Sequence, residues 1–220
     1  MKKIIVLVFI ILFFLCGCSF DETISRSGTE SIVSAIGIDQ KDNEISVTLE
    51  TIITNNENNE SKTRLLIGLG DTIQTAFADT LKYATEPLTL SHLGVAVMGK
   101  SIDSENFKSI CDWFYNKQDT TLSTFFISAY NAEELLSQKA ISSIAVGYDL
   151  VGLLEQQEKE SGTDFQNRFY KIQSLILENT DSFRLPHFIC KDDKFYLGGV
   201  TVYKNFQPIF FDPLTEQSNS

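Results

Sequence analysis

Residues 32 to 38 read IVSAIGI and residues 45 to 54 read ISVTLETIIT, with the polar run Asp39-Gln40-Lys41-Asp42-Asn43-Glu44 between them. Both apolar runs are rich in β-branched residues, which fit a pleated, half-buried surface, and the second alternates apolar with polar at a period of two. The pattern predicts a β-hairpin. Residues 55 to 62 (NNENNESK) have no apolar side chain and are expected as a solvated loop.

Downstream the apolar period changes to that of a helix. Asp71 can cap a helix through Ala84, with Ile73, Ala76, Phe77, Leu81 and Ala84 on one face and Pro87 beyond its end. Residues 93 to 98 (LGVAVM) form a buried strand candidate ended by Gly99. Asp103 or Ser104 can start a second helix, whose stripe is Phe107, Ile110, Cys111, Phe114 and Tyr115. Residues 122 to 129 (LSTFFISA) read as a strand, and Asn131 with Glu134 makes a start like a capping box. Near residue 140 the chain changes character. Residues 148 to 159 and 165 to 178 look helical, the second with Phe165, Phe169, Ile172 and Ile176 on one face and Ser161-Gly162 ahead of it. Residues 188 to 190, 195 to 203 and 209 to 211 then predict a three-stranded antiparallel meander, with Gly198-Gly199 at a bulge. Interleaved strands and helices of no single period predict an α+β fold of mixed sheets with packed helices. Two subdomains are expected, residues 31 to 139 and residues 140 to 212, followed by a polar tail over residues 213 to 220.

Charge narrows the function. The chain has 220 residues, 29 acidic against 18 basic, and a formal charge of −11, so it has no broad basic face to neutralise phosphates, and nucleic acid is excluded as an expected partner. With only two histidines, His92 and His187, metal and general-base chemistry is restricted from the start.

The amino terminus has the form of an export signal. Met1-Lys2-Lys3 supplies positive charge, and residues 4 to 15 (IIVLVFIILFFL) run apolar without interruption. That run is shorter than the roughly 20 residues a membrane-spanning helix needs. Leu15-Cys16-Gly17-Cys18 follows it and resembles the lipobox of bacterial lipoproteins. The resemblance implies a signal peptide over residues 1 to 17, lipidation at Cys18, and a short polar tether over residues 18 to 30. Two acyl chains suffice for stable anchoring where one is marginal. The expected location is the outer face of a cytoplasmic membrane. Cleavage removes two lysines and no acid, moving the charge from −11 to −13, so the anchor is lipid and not electrostatic. Cys111 and Cys190 remain. An exported pair can form a disulfide, and a helix stripe and a strand end can equally bury two free thiols.

The order of the pieces resembles a known family. The lipobox is followed by Ala35-Ile36-Gly37-Ile38-Asp39, then Gly70-Asp71-Thr72-Ile73, then residues 91 to 99 (SHLGVAVMG), then Leu185-Pro186 leading to residues 197 to 204 (LGGVTVYK). Five ordinary motifs in this order resemble the Ger(x)C family, the C subunit lipoprotein of spore germinant receptors. The resemblance implies a non-enzymatic, membrane-anchored subunit that works in spore germination with membrane-embedded receptor subunits A and B, on the spore inner membrane. The family's pattern continues into a further domain of comparable size, so a truncated, fragmentary or divergent member is expected.

The search for chemistry agrees with a non-enzyme. The sequence has no H-E-x-x-H, C-x-x-C, G-x-S-x-G or P-loop, and Gly68-Leu69-Gly70 is followed by Ile73 where a dinucleotide fingerprint needs glycine. His92 reads as a buried or half-buried histidine with a local hydrogen bond, and His187 stands at a strand start. No catalytic residue, metal ligand or cofactor is expected. Two other readings are a lipid-anchored small-ligand binding protein of a transport system and an exported hydrolase. The first is disfavoured by chain length and the second by the lack of a nucleophile and base. Trp113, the only tryptophan, falls outside the Phe107–Phe114 stripe. It is either a partner-contact anchor or packs against the second subdomain.

Overall fold

The computed structural model describes residues 31–55, 60–162, 165–178, 180 and 182–213. The opening hairpin forms as expected: β1 (Ser31–Lys41) pairs antiparallel with β2 (Glu44–Asn55) across Asp42-Asn43. Next come β3 (Glu60–Gly70), α1 (Ile73–Leu81), β4 (Leu88–Thr89), β5 (Val95–Gly99), α2 (Ser104–Asn116) and β6 (Phe125–Ala129). Then follow α3 (Ala132–Leu136), α4 (Val146–Ser161), α5 (Phe169–Leu177), β7 (Ser182–Lys191), β8 (Lys194–Lys204) and β9 (Gln207–Pro213). The strands form one nine-stranded sheet in the order β3-β2-β1-β5-β6-β7-β8-β9, with the short β4 against β1.

The sheet has a parallel centre, β1-β5-β6-β7, flanked by an antiparallel hairpin or meander on each side. Helices cover both faces. One face is packed by α1, α2 and α5 over a core that includes Ile36, Ile38, Leu49, Phe107, Phe114, Phe126 and Tyr203. The other is packed by α3 and α4 over Ala35, Val95, Val97, Phe125, Ile127 and Phe188. Central strands buried on both sides read as continuous apolar runs, and all five β5 residues are buried.

The α+β architecture of mixed strands and packed helices is as expected, and so is the terminal meander. The division at residue 140 is not where the sheet divides. α4, expected in the second subdomain, packs on β1 and β5, and the 167–169 stretch bonds to β6 through Phe126 N to Asn167 O and to the residue before it through Phe169 N to Thr124 O. The sheet is narrowest at the β6–β7 seam, where only Ser128↔His187 and Ala129↔Phe188 pair. Asn167, fully buried, fills the splay below that seam, its Nδ2 donating to Phe126 O at 2.8 Å.

β3 is the element the sequence reading lacks. It pairs with β2 over its whole length, from Asn55↔Glu60 to Ile45↔Gly70. Gly68 and Gly70 serve close packing and not phosphate binding. A Cβ on Gly68 would run into Ala76 O and Thr80 N of α1, and one on Gly70 into Thr75 Oγ1. α1 begins at an N-cap supplied by Thr72, not Asp71, with a reciprocal Thr72–Thr75 capping box.

Two later hairpin turns need positive φ. Asp192-Asp193 (53° and 57°) joins β7 to β8, and Asn205-Phe206 (50° and 65°) joins β8 to β9. Asp and Asn tolerate that region. Phe206 does not do so readily, and its ring is held there by packing against Phe183 and Phe107, at 5.5 and 6.0 Å between centroids.

Candidate functional site

The polar residues of the β1–β2 hairpin converge on helix starts. An α-helix begins with four backbone N–H groups that its own turns leave unsatisfied, and its positive dipole end favours a carboxylate. Asp39, at the end of β1 and 8% exposed, accepts hydrogen bonds from Ala132 N at 2.9 Å and from Glu133 N at 3.0 Å, the first residues of α3. Burial pushes its carboxyl above the ordinary value, while those two N–H groups pull it back. Gly99, the last residue of the SHLGVAVMG motif, leaves room for this carboxylate, since a Cβ there would collide with Asp39 Oδ1.

Glu50, on β2 and 2% exposed, does the same for α4. Val146 N and Gly147 N each donate to it at 2.7 Å, and Ser34 Oγ donates to its Oε2 at 2.7 Å. Gln40 ties in α2: its Nε2 donates to Asp103 Oδ2 at 2.8 Å, and Asp103 N donates to Gln40 Oε1 at 3.0 Å. Asp103 is the α2 N-cap and accepts from Asn106 N at 2.9 Å. That bond, with the one from Gln40, lowers its carboxyl. One hairpin thus fixes three helix N-termini, and Ala35-Ile36-Gly37-Ile38-Asp39 is a clamp and not a reactive centre.

A second buried polar cluster sits at the β6–β7 seam. His187, 2% exposed, has its Nδ1 3.0 Å from Ser128 Oγ and 2.9 Å from Thr201 Oγ1, and Ser128 Oγ donates to Thr201 Oγ1 at 2.7 Å. Tyr130 meets the ring edge-on at 4.9 Å and Phe211 packs at 4.7 Å. Burial, with the nearby Lys100 charge, lowers the His187 pKa to about 4, so the ring is neutral at pH 7. Ser128 and His187 touch, but none of the hydrogen bonds to the ring comes from a carboxylate that would orient it as a base. His92 is exposed, contrary to the expected burial.

The two cysteines lie on opposite sheet faces. Cys111 is buried among the α1–α2–α5 core and Cys190 packs at the edge of the α3–α4 core; both are free. The sheet between them prevents the disulfide. Burial pushes both thiols up, Cys190 to about 11. Trp113 is 8% exposed and stacks among neighbours of its own half, Phe77 at 5.0 Å and Phe114 at 5.1 Å, with Lys117 over its ring at 5.9 Å. It is a packing residue of the α1–α2 contact, within a core cluster that also holds Phe169 and Ile172 of α5. Cys18 and the signal segment lie outside the described residues. Among the described residues, no helix is long and apolar enough to cross a membrane, and no three His, Cys, Asp or Glu side chains converge as metal ligands.

The geometry is that of a mixed sheet whose buried polar groups hold helix starts in place. The chain belongs to the family described as spore germination protein N-terminal domain, whose pattern matches residues 29–188. These residues hold four of the five motifs on which the Ger(x)C resemblance rests up to Leu185-Pro186. A solved structure titled "Crystal Structure of the GerBC protein" aligns over 81% of this chain at 13% identity and a TM-score of 0.41. The alignment covers 51% of that structure, so the chain spans about half its length. No curated protein matches.

Proposed function

We propose that this protein is the C subunit of a spore germinant receptor: a non-enzymatic lipoprotein anchored through acylated Cys18 to the outer face of the spore inner membrane and assembled there with membrane-embedded subunits A and B. The family match over residues 29–188 carries the reading. The clamp geometry supports it, because buried carboxylates spent on helix starts suit a rigid assembly module better than a catalyst.

The test is fractionation of spore membranes solubilised in mild detergent. The wild-type chain is expected in the detergent phase, labelled by palmitate and co-purifying with the receptor's membrane subunits. Cys18→Ala is expected to lose the label and the detergent partition. A Cys18→Ala chain that still carries palmitate would move the lipid elsewhere, and a wild-type chain that purifies without membrane subunits would overturn the receptor assignment.

A further inference from the structure

The two edges of the sheet are built differently. β9 carries Pro208 and Pro213, which cannot donate to a further strand, and its register with β8 is bulged. β3 carries no proline and pairs in unbroken register on its inner side only. Leu69 N donates to Asp79 of α1 at 3.1 Å, so the β3 groups at Leu69 face away from β2, and by the two-residue alternation so do those of Thr63, Leu65 and Ile67. Asp79 closes the edge at Leu69, while no element pairs with it upstream.

Three features surround that open stretch. Leu65, Ile67 and Leu69 share the face toward α3 and α4, where Ile67 is 38% and Leu69 53% exposed. A groove of about 360 Å³ runs beside them, lined by Thr63, Leu65, Leu136, Lys139 and Ile144. Glu50 also lines it, with its charge already engaged by the α4 N-terminus. On the opposite face Lys62 and Arg64 are exposed, and neither forms an ion pair with a described residue. In a chain of net charge −11, the open edge is locally basic.

We propose that the outer edge of β3 over residues 62 to 67, with the adjoining groove, receives an extended acidic segment of a partner protein, which adds to the sheet as a tenth strand. Backbone groups at Thr63, Leu65 and Ile67 supply the ladder. Acidic side chains of the incoming strand lie opposite Lys62 and Arg64, and its alternate apolar side chains lie along Leu65 and Ile67 toward the groove. A second copy of this chain is the poorer occupant. Antiparallel pairing of two β3 strands about Thr63 would set Lys62 against Arg64 of the other copy.

The test uses the full mature chain, isotope-labelled in detergent micelles, titrated with a soluble decapeptide of alternating glutamate and valine and with its lysine–valine counterpart. The amide signals of Thr63, Leu65 and Ile67 are expected to move with the acidic peptide, at least 10-fold more tightly than with the basic one. Lys62→Glu combined with Arg64→Glu is expected to reverse that preference with the melting temperature unchanged, since both side chains are exposed. Thr63→Pro, which removes a donor β2 does not use, is expected to abolish binding. The proposal is overturned if neither peptide moves these signals, if both bind equally, if the signals that move lie on β9, or if they move with protein concentration alone, as self-association would require. None of these outcomes depends on receptor membership, so this proposal and the germinant-receptor assignment can fail separately.

Discussion

The two faces of the sheet are held by different physics. Under α1, α2 and α5 the contact is aromatic: Phe107 meets Phe183 at 5.6 Å and Tyr203 at 5.3 Å, and Phe114 meets Phe126 at 5.1 Å and Phe169 at 5.7 Å. Under α3 and α4 the core side chains are smaller, and each helix start is fixed by a carboxylate from the hairpin, Asp39 for α3 and Glu50 for α4. Apolar area is non-directional and tolerates sliding, whereas a carboxylate on two N–H groups fixes position and angle. The aromatic face supplies the bulk of the stability, and the carboxylate face sets the geometry of the helices beside the open β3 edge.

The largest effect should come from the aromatic face. Phe107→Ala removes a fully buried ring with three aromatic neighbours, and denaturant unfolding should show a loss of about 3 to 5 kcal/mol. A loss below about 1 kcal/mol would mean that this face is not the main core. Next is Glu50→Ala, which leaves Val146 N and Gly147 N buried without their acceptor and should remove roughly 3 kcal/mol. The comparison predicts where that loss appears. Hydrogen exchange should accelerate in α4 while α2 keeps its protection, and equal loss in both helices would erase the distinction between the faces.

His187 gives a smaller, pH-dependent effect. Its folded pKa of about 4 lies below the ordinary value of 6.5, so between those values the unfolded chain binds more protons. The neutral ring's contribution is complete above about pH 6.5 and is lost as the pH falls toward 4. Since one pKa unit corresponds to about 1.4 kcal/mol, the window should contribute roughly 2 kcal/mol after allowance for partial solvent access. Thermal melts of wild type and His187→Gln across that range should converge toward pH 4; parallel curves would place the titration elsewhere. The smallest expected change is a gain. Gly152 is in α4, and a Cβ there meets nothing within 4 Å, so Gly152→Ala should add about 0.5 to 1 kcal/mol. A loss instead would show that a neighbour covers that helix surface.

Legibility in the sequence followed periodicity. The hairpin, α2 with its Asp103 cap, α3 with its Asn131 cap, and β8 were readable because each presents its own pattern or capping residue within a few positions. β3 was not, because its run ESKTRLLIGLG places only Leu66 and Gly68 in full burial among residues 61 to 70, and its two glycines are small for the sake of a helix that crosses above them. β7 was readable only over its last residues, since Pro186 interrupts the strand pattern. The fold tolerates it because β6 joins β7 only at His187 and Phe188, and Pro186 O accepts from Ser128 Oγ at 3.3 Å.

By itself the sequence determined the mixed α+β class, the net acidic charge, the helix caps and the ordered motifs of the family, because each can be read from the chain without knowing which strands become neighbours. Only the tertiary structure decided the rest. The Asp39–Ala132 and Glu50–Val146 bonds span 93 and 96 residues, the Ser128–His187–Thr201 cluster joins three strands, and the sheet separates Cys111 from Cys190. Burial of Trp113 depends on Phe77 from another helix. Such pairings are set by which strands become neighbours, and strand order is a property of the closed sheet that no local pattern carries.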